Sequence, residues 1–170
     1  MQKILKHIQV TQESSGEDIM SAGGDVVMIE AGYVQCMWLA RKEDMEELVQ
    51  KVLNAALFIQ KRFGKTETKF GRVLRNLIGI ACGDFNCFFV GKKTIYYTLV
   101  GETVMDSFYS TSQCGQSEVV VSREFWKCIK FKEDYMYQTL PDEFVTVSII
   151  IYKRHLLSNL YCNIFMTLLF

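Results

Sequence analysis

The sequence predicts an α+β fold, in which hairpins and helices alternate irregularly. Three observations lead there. One long amphipathic helix is written over residues 43–63, several short β-rich runs end on glycine turns, and some of these runs adjoin as hairpins. A doubly wound parallel sheet needs a crossover between successive strands, which adjoining hairpins do not supply. The chain has 170 residues, 49% of them apolar, so it makes one domain with enough apolar content for a sizeable core.

The elements can be justified in order. Residues 3–9 read as a short amphipathic helix, followed by a polar break, TQESSGED, and a further helical turn or two at 18–21. After Gly23-Gly24, residues 26–30 (VVMIE) and 33–39 (YVQCMWL) form a hairpin around Ala31-Gly32. Within 43–63, Leu48, Val52, Ala55, Ala56 and Ile59 recur at three- and four-residue steps and share one face. Acids in the first turn and Lys61-Arg62 in the last suit the helix dipole, and Gly64 ends the helix.

Residues 65–69 read as a polar loop, 73–82 (VLRNLIGIAC) as one buried strand, and 85–90 as the next. Gly91-Lys92-Lys93 is a tight turn into a third strand, TIYYTLV, at 94–100. A helix at 102–112, a strand at 118–122, a short helix at 123–128 and a strand at 145–152 follow. Residues 156–170 are apolar but carry Ser158, Asn159 and Asn163, and fall short of the roughly 20 residues a membrane-spanning helix needs. They follow Lys153-Arg154, and a docked or poorly ordered terminal segment is expected there in preference to an anchor. The expected division is a helical and polar segment at 1–18, the main domain at 19–152 and an apolar tail at 153–170.

Composition narrows the function classes. Net charge is zero and no block of like charge occurs, which argues against nucleic acid. The six cysteines show no zinc-type spacing, and the N-terminal stretch lacks a signal peptide's apolar core, so reduced, buried thiols in the cytoplasm are expected. His7 and His155 read as surface residues. The glycines at 79, 83 and 91 make no phosphate loop with a following Lys-Ser/Thr. Phe85, Phe88, Phe89, Tyr96, Tyr97 and Phe108 have the faces to stack a base, but at strand spacing such residues belong more often to a core or a dimer interface. Asp84 and Asp106 are lone acids, and Asp106 is expected to face solvent.

The ordered set carries a resemblance. A GGD hairpin closes on Trp38, a long helix follows, and then come IGIACGDFNCFFVG, YYTLVGETVMDS and EVVVSREFWKC. Over residues 19–129 this order resembles the catalytic domain of class III nucleotide cyclases, most of all the first cyclase domain of soluble adenylyl cyclases. The resemblance implies a ferredoxin-like class III cyclase sandwich, here missing its first strand and ending in an atypical C-terminal tail. It also implies a reaction, ATP to cyclic AMP and pyrophosphate, run between two paired domains. Two aspartates there hold two Mg or Mn ions, while an Asn and an Arg from the partner stabilise the transition state.

Position by position, this chain departs from that pattern. The family's first metal Asp lies on a strand upstream of the hairpin, and residues 1–18 offer no such strand. The second falls on Gly32; Glu30, two residues earlier, reaches a cation only if the hairpin register slips. The Lys and Arg of the soluble enzyme's bicarbonate pocket fall on Met28 and Phe108, and Leu99 lines the same space. Met105, Asp106, Phe108 and Tyr109 stand where the Asn-x-x-x-Arg pair is sought. The expectation is therefore a cyclase-like domain with no catalytic residue, no metal ligand and no cofactor of its own, ATP a doubtful ligand, and a second cyclase domain as partner. Two alternatives remain: a half whose metal ligands come from the partner, or a truncated product whose half-built sheet exposes an edge.

Overall fold

Helix α1 runs unbroken from Gln2 to Ser21 in the computed structural model, which describes residues 2–30, 32–39, 44–68, 71–94, 96–149 and 164–169. The expected break at TQESSGED is absent, because that stretch is a docking face. Thr11, Ser15 and Ile19 recur at four-residue steps and are buried together with Gln12. The Gln12 amide donates to the carbonyls of Glu30 (2.8 Å) and Tyr33 (3.3 Å). The buried stripe is polar, so a search for apolar periodicity passes over it.

The helix ends in a Schellman motif: Gly23 N–H donates to Met20 O (2.9 Å) and Gly24 N–H to Ile19 O (3.0 Å), with Gly23 at φ +77°. Gly24 is required for a different reason, since a Cβ there would overlap the indole of Trp38. Trp38 is buried and its Nε1 donates to Ala22 O at 3.2 Å. The GGD and the distant Trp are therefore one packing unit.

Strands β1 (Asp25–Glu30) and β2 (Tyr33–Trp38) pair antiparallel, with a bulge at Val27 where the register shifts between Val26 and Met28. Helix α2 (Met45–Phe63) buries Leu48, Val49, Val52, Leu53, Ala56, Leu57 and Ile59, while Ala55 is half-buried. The segment after it corrects two expectations. Residues 65–69 are not wholly a loop, and 73–82 is not one strand. β3 (Lys65–Glu67) and β4 (Val73–Arg75) make a small hairpin, and β5 (Leu77–Cys82) starts afresh. The chain turns at buried Asn76, whose N–H donates to Gly64 O at 3.2 Å.

β6 (Asn86–Val90) and β7 (Tyr96–Val100) form a separate two-stranded arm. Then come α3 (Glu102–Ser112), β8 (Val119–Val121), α4 (Arg123–Lys127), β9 (Tyr135–Thr139), β10 (Val145–Ile149) and β11 (Ile164–Leu169). β9 has no counterpart in the sequence reading; its side chains beyond Tyr135 are exposed, so no apolar run marks it.

The main sheet has seven strands in the order β1-β2-β11-β5-β8-β10-β9. β11 is an interior strand, third in this order, antiparallel to β2 and β5. Residues 150–163 and 170, which include most of the expected tail with His155 and Cys162, lie outside the described residues. Alternation along each strand separates two faces. Cys36, Met166, Ile80, Val121 and Val145 share one register row in the core with α2. Gln35, Thr167, Gly79, Val120 and Thr146 form the next row, on the face covered by α3.

The α3 face is packed by hydroxyls. Ser107 and Thr167 share a 3.0 Å hydrogen bond, Thr111 Oγ1 donates to Ser107 O (2.8 Å), and Ser110 Oγ donates to Asp106 O (2.7 Å). The helix lies close because β5 offers Gly79, where a Cβ would overlap Thr111 Oγ1 and the Ser107 carbonyl. Among the described residues no helix is long and apolar enough to cross a membrane.

Candidate functional site

The bulge in β1 and the arm built by β6 and β7 frame a recess. The bulge leaves Val27 without a direct partner on β2, and the Tyr97 hydroxyl donates to its carbonyl. That contact leans the arm toward the sheet edge. Between arm, sheet and α3 lies a cavity of about 500 Å³, lined by Val27 and Met28 of β1, Gln35 of β2, the β7 residues 96–99, and Val104 and Phe108 of α3.

Met28, Leu99 and Phe108 thus meet in one cavity. Among the described residues that line it there is no Lys, Arg, Asp or Glu; their polar groups are the Gln35 amide, the Thr98 hydroxyl and the tyrosine hydroxyls. An anion brought there would lose hydration without meeting a fixed cation, which is unfavourable. Gln35 and Val104 were not singled out by the sequence reading, whereas Tyr96 and Tyr97, grouped there with the aromatics, line the cavity too. The bulge that turns Val27 and Met28 has no glycine or proline to announce it.

The hairpin tip lies beside this cavity. Gly32 has φ +105° and open space around the position of a Cβ. Glu30 is exposed, and its Oε2 accepts from the Tyr33 hydroxyl at 2.8 Å. That bond, ahead of burial, raises the Tyr33 pKa above its ordinary value. Tyr33 also meets Phe108 edge-on, with ring centroids 6.5 Å apart. Glu30 is therefore tied to Tyr33 at the rim. Among the described residues no three His, Cys, Asp or Glu side chains converge on a common point. One carboxylate already occupied by a hydroxyl is a poor match to a two-metal centre, which needs converging oxygen ligands.

The lone acids are not among the described lining residues of this cavity. Asp106 is half-buried on α3 instead of facing solvent, and burial, then the Glu102 and Glu124 charges, raise its pKa. Asp84 is exposed, and its carbonyl accepts from Thr103 Oγ1 at 3.0 Å. Phe88, Phe89, Tyr96 and Tyr97 are exposed on the arm, Phe89 to 71%. Of the cysteines, Cys36 and Cys82 are buried, but Cys114 and Cys128 are half-buried and Cys87 is exposed, so the expectation of uniformly buried thiols does not hold.

The fold matches solved structures along most of its length. The guanylate cyclase domain of RhGC from Catenaria anguillulae, in complex with GTP, superposes with a TM-score of 0.65 at 17% identity, over 84% of this chain and 81% of that one. By fold, this chain has the architecture of a class III cyclase domain. A non-canonical dimeric guanylyl cyclase domain of the RhoGC fusion protein from Blastocladiella emersonii matches with a TM-score of 0.63 at 15% identity, covering 84% of this chain and 80% of that one. In sequence, this chain is 22% identical over 112 residues to adenylate cyclase type 10 of Oryctolagus cuniculus. That stretch is 65% of this chain and 7% of the relative's length. No protein-family model matches the chain.

Proposed function

We propose that this cyclase homology domain serves cytoplasmic cyclic-nucleotide signalling as a pairing half, without a self-sufficient cyclase site. The observation that carries this reading is the hairpin tip: Gly32 offers no side chain where the family places a metal aspartate, and Glu30 is tied to Tyr33. Two-metal chemistry needs ligands to offset charge on the triphosphate, and this donor set supplies none in convergence. No resident Mg or Mn is assigned to the chain. The likeness to a dimeric cyclase domain and the exposed aromatic arm support pairing with a second cyclase domain.

The test is cyclic AMP and cyclic GMP formation with Mg or Mn, by the domain alone and mixed with a complementary cyclase domain, alongside sedimentation of the mixture. Complex formation without turnover by the domain alone is expected. Metal-dependent turnover by the domain alone that disappears in Glu30→Ala overturns the reading. A second reading, a half whose partner supplies both metal ligands, is favoured by the open cavity wall of Met28, Leu99 and Phe108. Nucleotide binding by the assembled pair, measured by titration calorimetry, distinguishes it. A third reading, a truncated product with a half-built sheet, is tested by whether the isolated chain is soluble and unfolds cooperatively.

A further inference from the structure

β11 is held by elements remote from it in sequence. It pairs with β2 from Ile164 opposite Trp38 to Leu169 opposite Tyr33, and with β5 from Ile164 opposite Cys82 to Leu169 opposite Leu77. Its third neighbour is α3, through the Ser107–Thr167 hydroxyl pair and the bond from Thr111 Oγ1 to Thr167 O at 3.4 Å. Met166 is wholly buried in the core on the opposite face. Without this strand, β2 and β5 would face each other across a gap one strand wide, each with an unpaired edge.

We propose that the groove between β2 and β5 is a strand-binding site, filled in cis by Ile164–Leu169 and open to the same strand of a second copy of this chain. The site selects an extended, apolar segment that runs antiparallel to both neighbours. It takes a small hydroxyl residue opposite Gly79, where α3 approaches closely, and a flexible apolar side chain opposite Cys36 and Ile80. Thr167 and Met166 meet those demands. Among the described residues, the contacts that hold β11 lie on β2, β5 and α3, which are remote from it in the chain, so the same strand from another copy reproduces each of them. Exchange of an identical element between protomers is a low-cost route to a dimer. Covalent connection favours the cis form through an effective concentration on the order of millimolar. The proposal does not depend on the pairing function: it concerns two copies of this chain, and it fails or stands on strand position alone.

The experiment uses the full chain carrying Met166→Cys, because residue 166 lies directly opposite the native Cys36. The variant is refolded at low and high concentration in a glutathione redox buffer, so that positions 36 and 166 can pair before the core closes over them, and its crosslinks are mapped by peptide mass spectrometry. At low concentration a crosslink between positions 36 and 166 within one chain is expected. On refolding near the effective concentration, about millimolar, the fraction of 36-to-166 crosslinks joining two chains should rise at least about tenfold. Crosslinks confined to single chains at every concentration overturn the exchange, as do dimers that map to Cys87 instead. If the variant does not fold, hydrogen exchange on the unmodified chain decides the site: amides of 164–169 exchanging like an unfolded segment, while 77–82 stay protected, overturn it.

Discussion

The Tyr97 hydroxyl donates to the main-chain carbonyl of Val27, joining residues 70 positions apart. It connects two of the features that shape the described cavity, the bulge in β1 and the arm, through one side chain. Tyr97→Phe removes the donor while keeping the ring. Because the bond is at the surface, the global stability change should be small, about 0.5–1 kcal/mol. The local effect should be larger: faster amide exchange and faster protease cleavage across 86–100 than in the unmodified chain. Unchanged exchange in the arm would show that the hydroxyl does not hold it.

Gly79 sets how closely α3 approaches the sheet. A Cβ there meets Thr111 Oγ1 and backbone atoms of α3, and backbone cannot yield as a side-chain tip can. Gly79→Val should therefore destabilise the fold by about 1–3 kcal/mol or more, read as a lower urea midpoint. The accompanying signature is loss of exchange protection in β5 and β11 together.

Gly32→Asp puts a carboxylate at the hairpin tip where space is open. The left-handed φ should make the change cost about 1–3 kcal/mol. Cyclic-nucleotide formation should remain at background with Mg or Mn, because no second ligand converges there among the described residues. Turnover above background in this variant would mean that a ligand set exists which the folded hairpin does not display.

Burial raises the Asp106 pKa, with Glu102 and Glu124 adding to it. A carboxyl that holds its proton more tightly when folded makes stability fall as pH rises from the ordinary value of 3.8 through the folded value. Above that window the penalty is constant. Asp106→Asn should be more stable than the unmodified chain at pH 7, and the difference should vanish well below pH 3.8. Thermal melts at a series of pH values measure it.

Thiol labelling should separate the cysteines. Burial pushes the Cys36 thiol far above its ordinary range and the Cys114 thiol up to about 12, so neither presents a thiolate at neutral pH. Cys87 is exposed on the arm and should react first with a maleimide in the folded chain, followed by peptide mass spectrometry. Early labelling of Cys36 would signal opening of the core between β2 and β11.

The parts readable from sequence were those whose pattern is local. The alternation of VVMIE and YVQCMW about a glycine gave the first hairpin, and the apolar steps along 45–63 gave α2. The unbroken α1 was hidden because its buried stripe, Thr11, Gln12 and Ser15, is polar. The division of 73–82 was hidden because Asn76 interrupts an apolar run without a glycine or proline. At the cavity, Met28, Leu99 and Phe108 could be named by position and Tyr97 as one of the aromatics, but the bond from Tyr97 to Val27 and the place of Gln35 could not. Both depend on a bulge and on an arm that comes from a distant stretch of chain. The place of β11 was least accessible of all, since the fit of Thr167 depends on Gly79 and Ser107, remote in sequence.

The arm has a thermodynamic consequence for any partner that covers it. Phe88, Phe89, Val90 and Tyr96 lie in water on two strands that belong to no larger sheet. Taking such surface out of solvent lowers heat capacity, so association through the arm should show a distinctly negative ΔCp. The same hydration physics makes the apolar part of the attraction weaken on cooling. A complex held this way loosens in the cold, whereas one held by charges across its rim responds instead to salt.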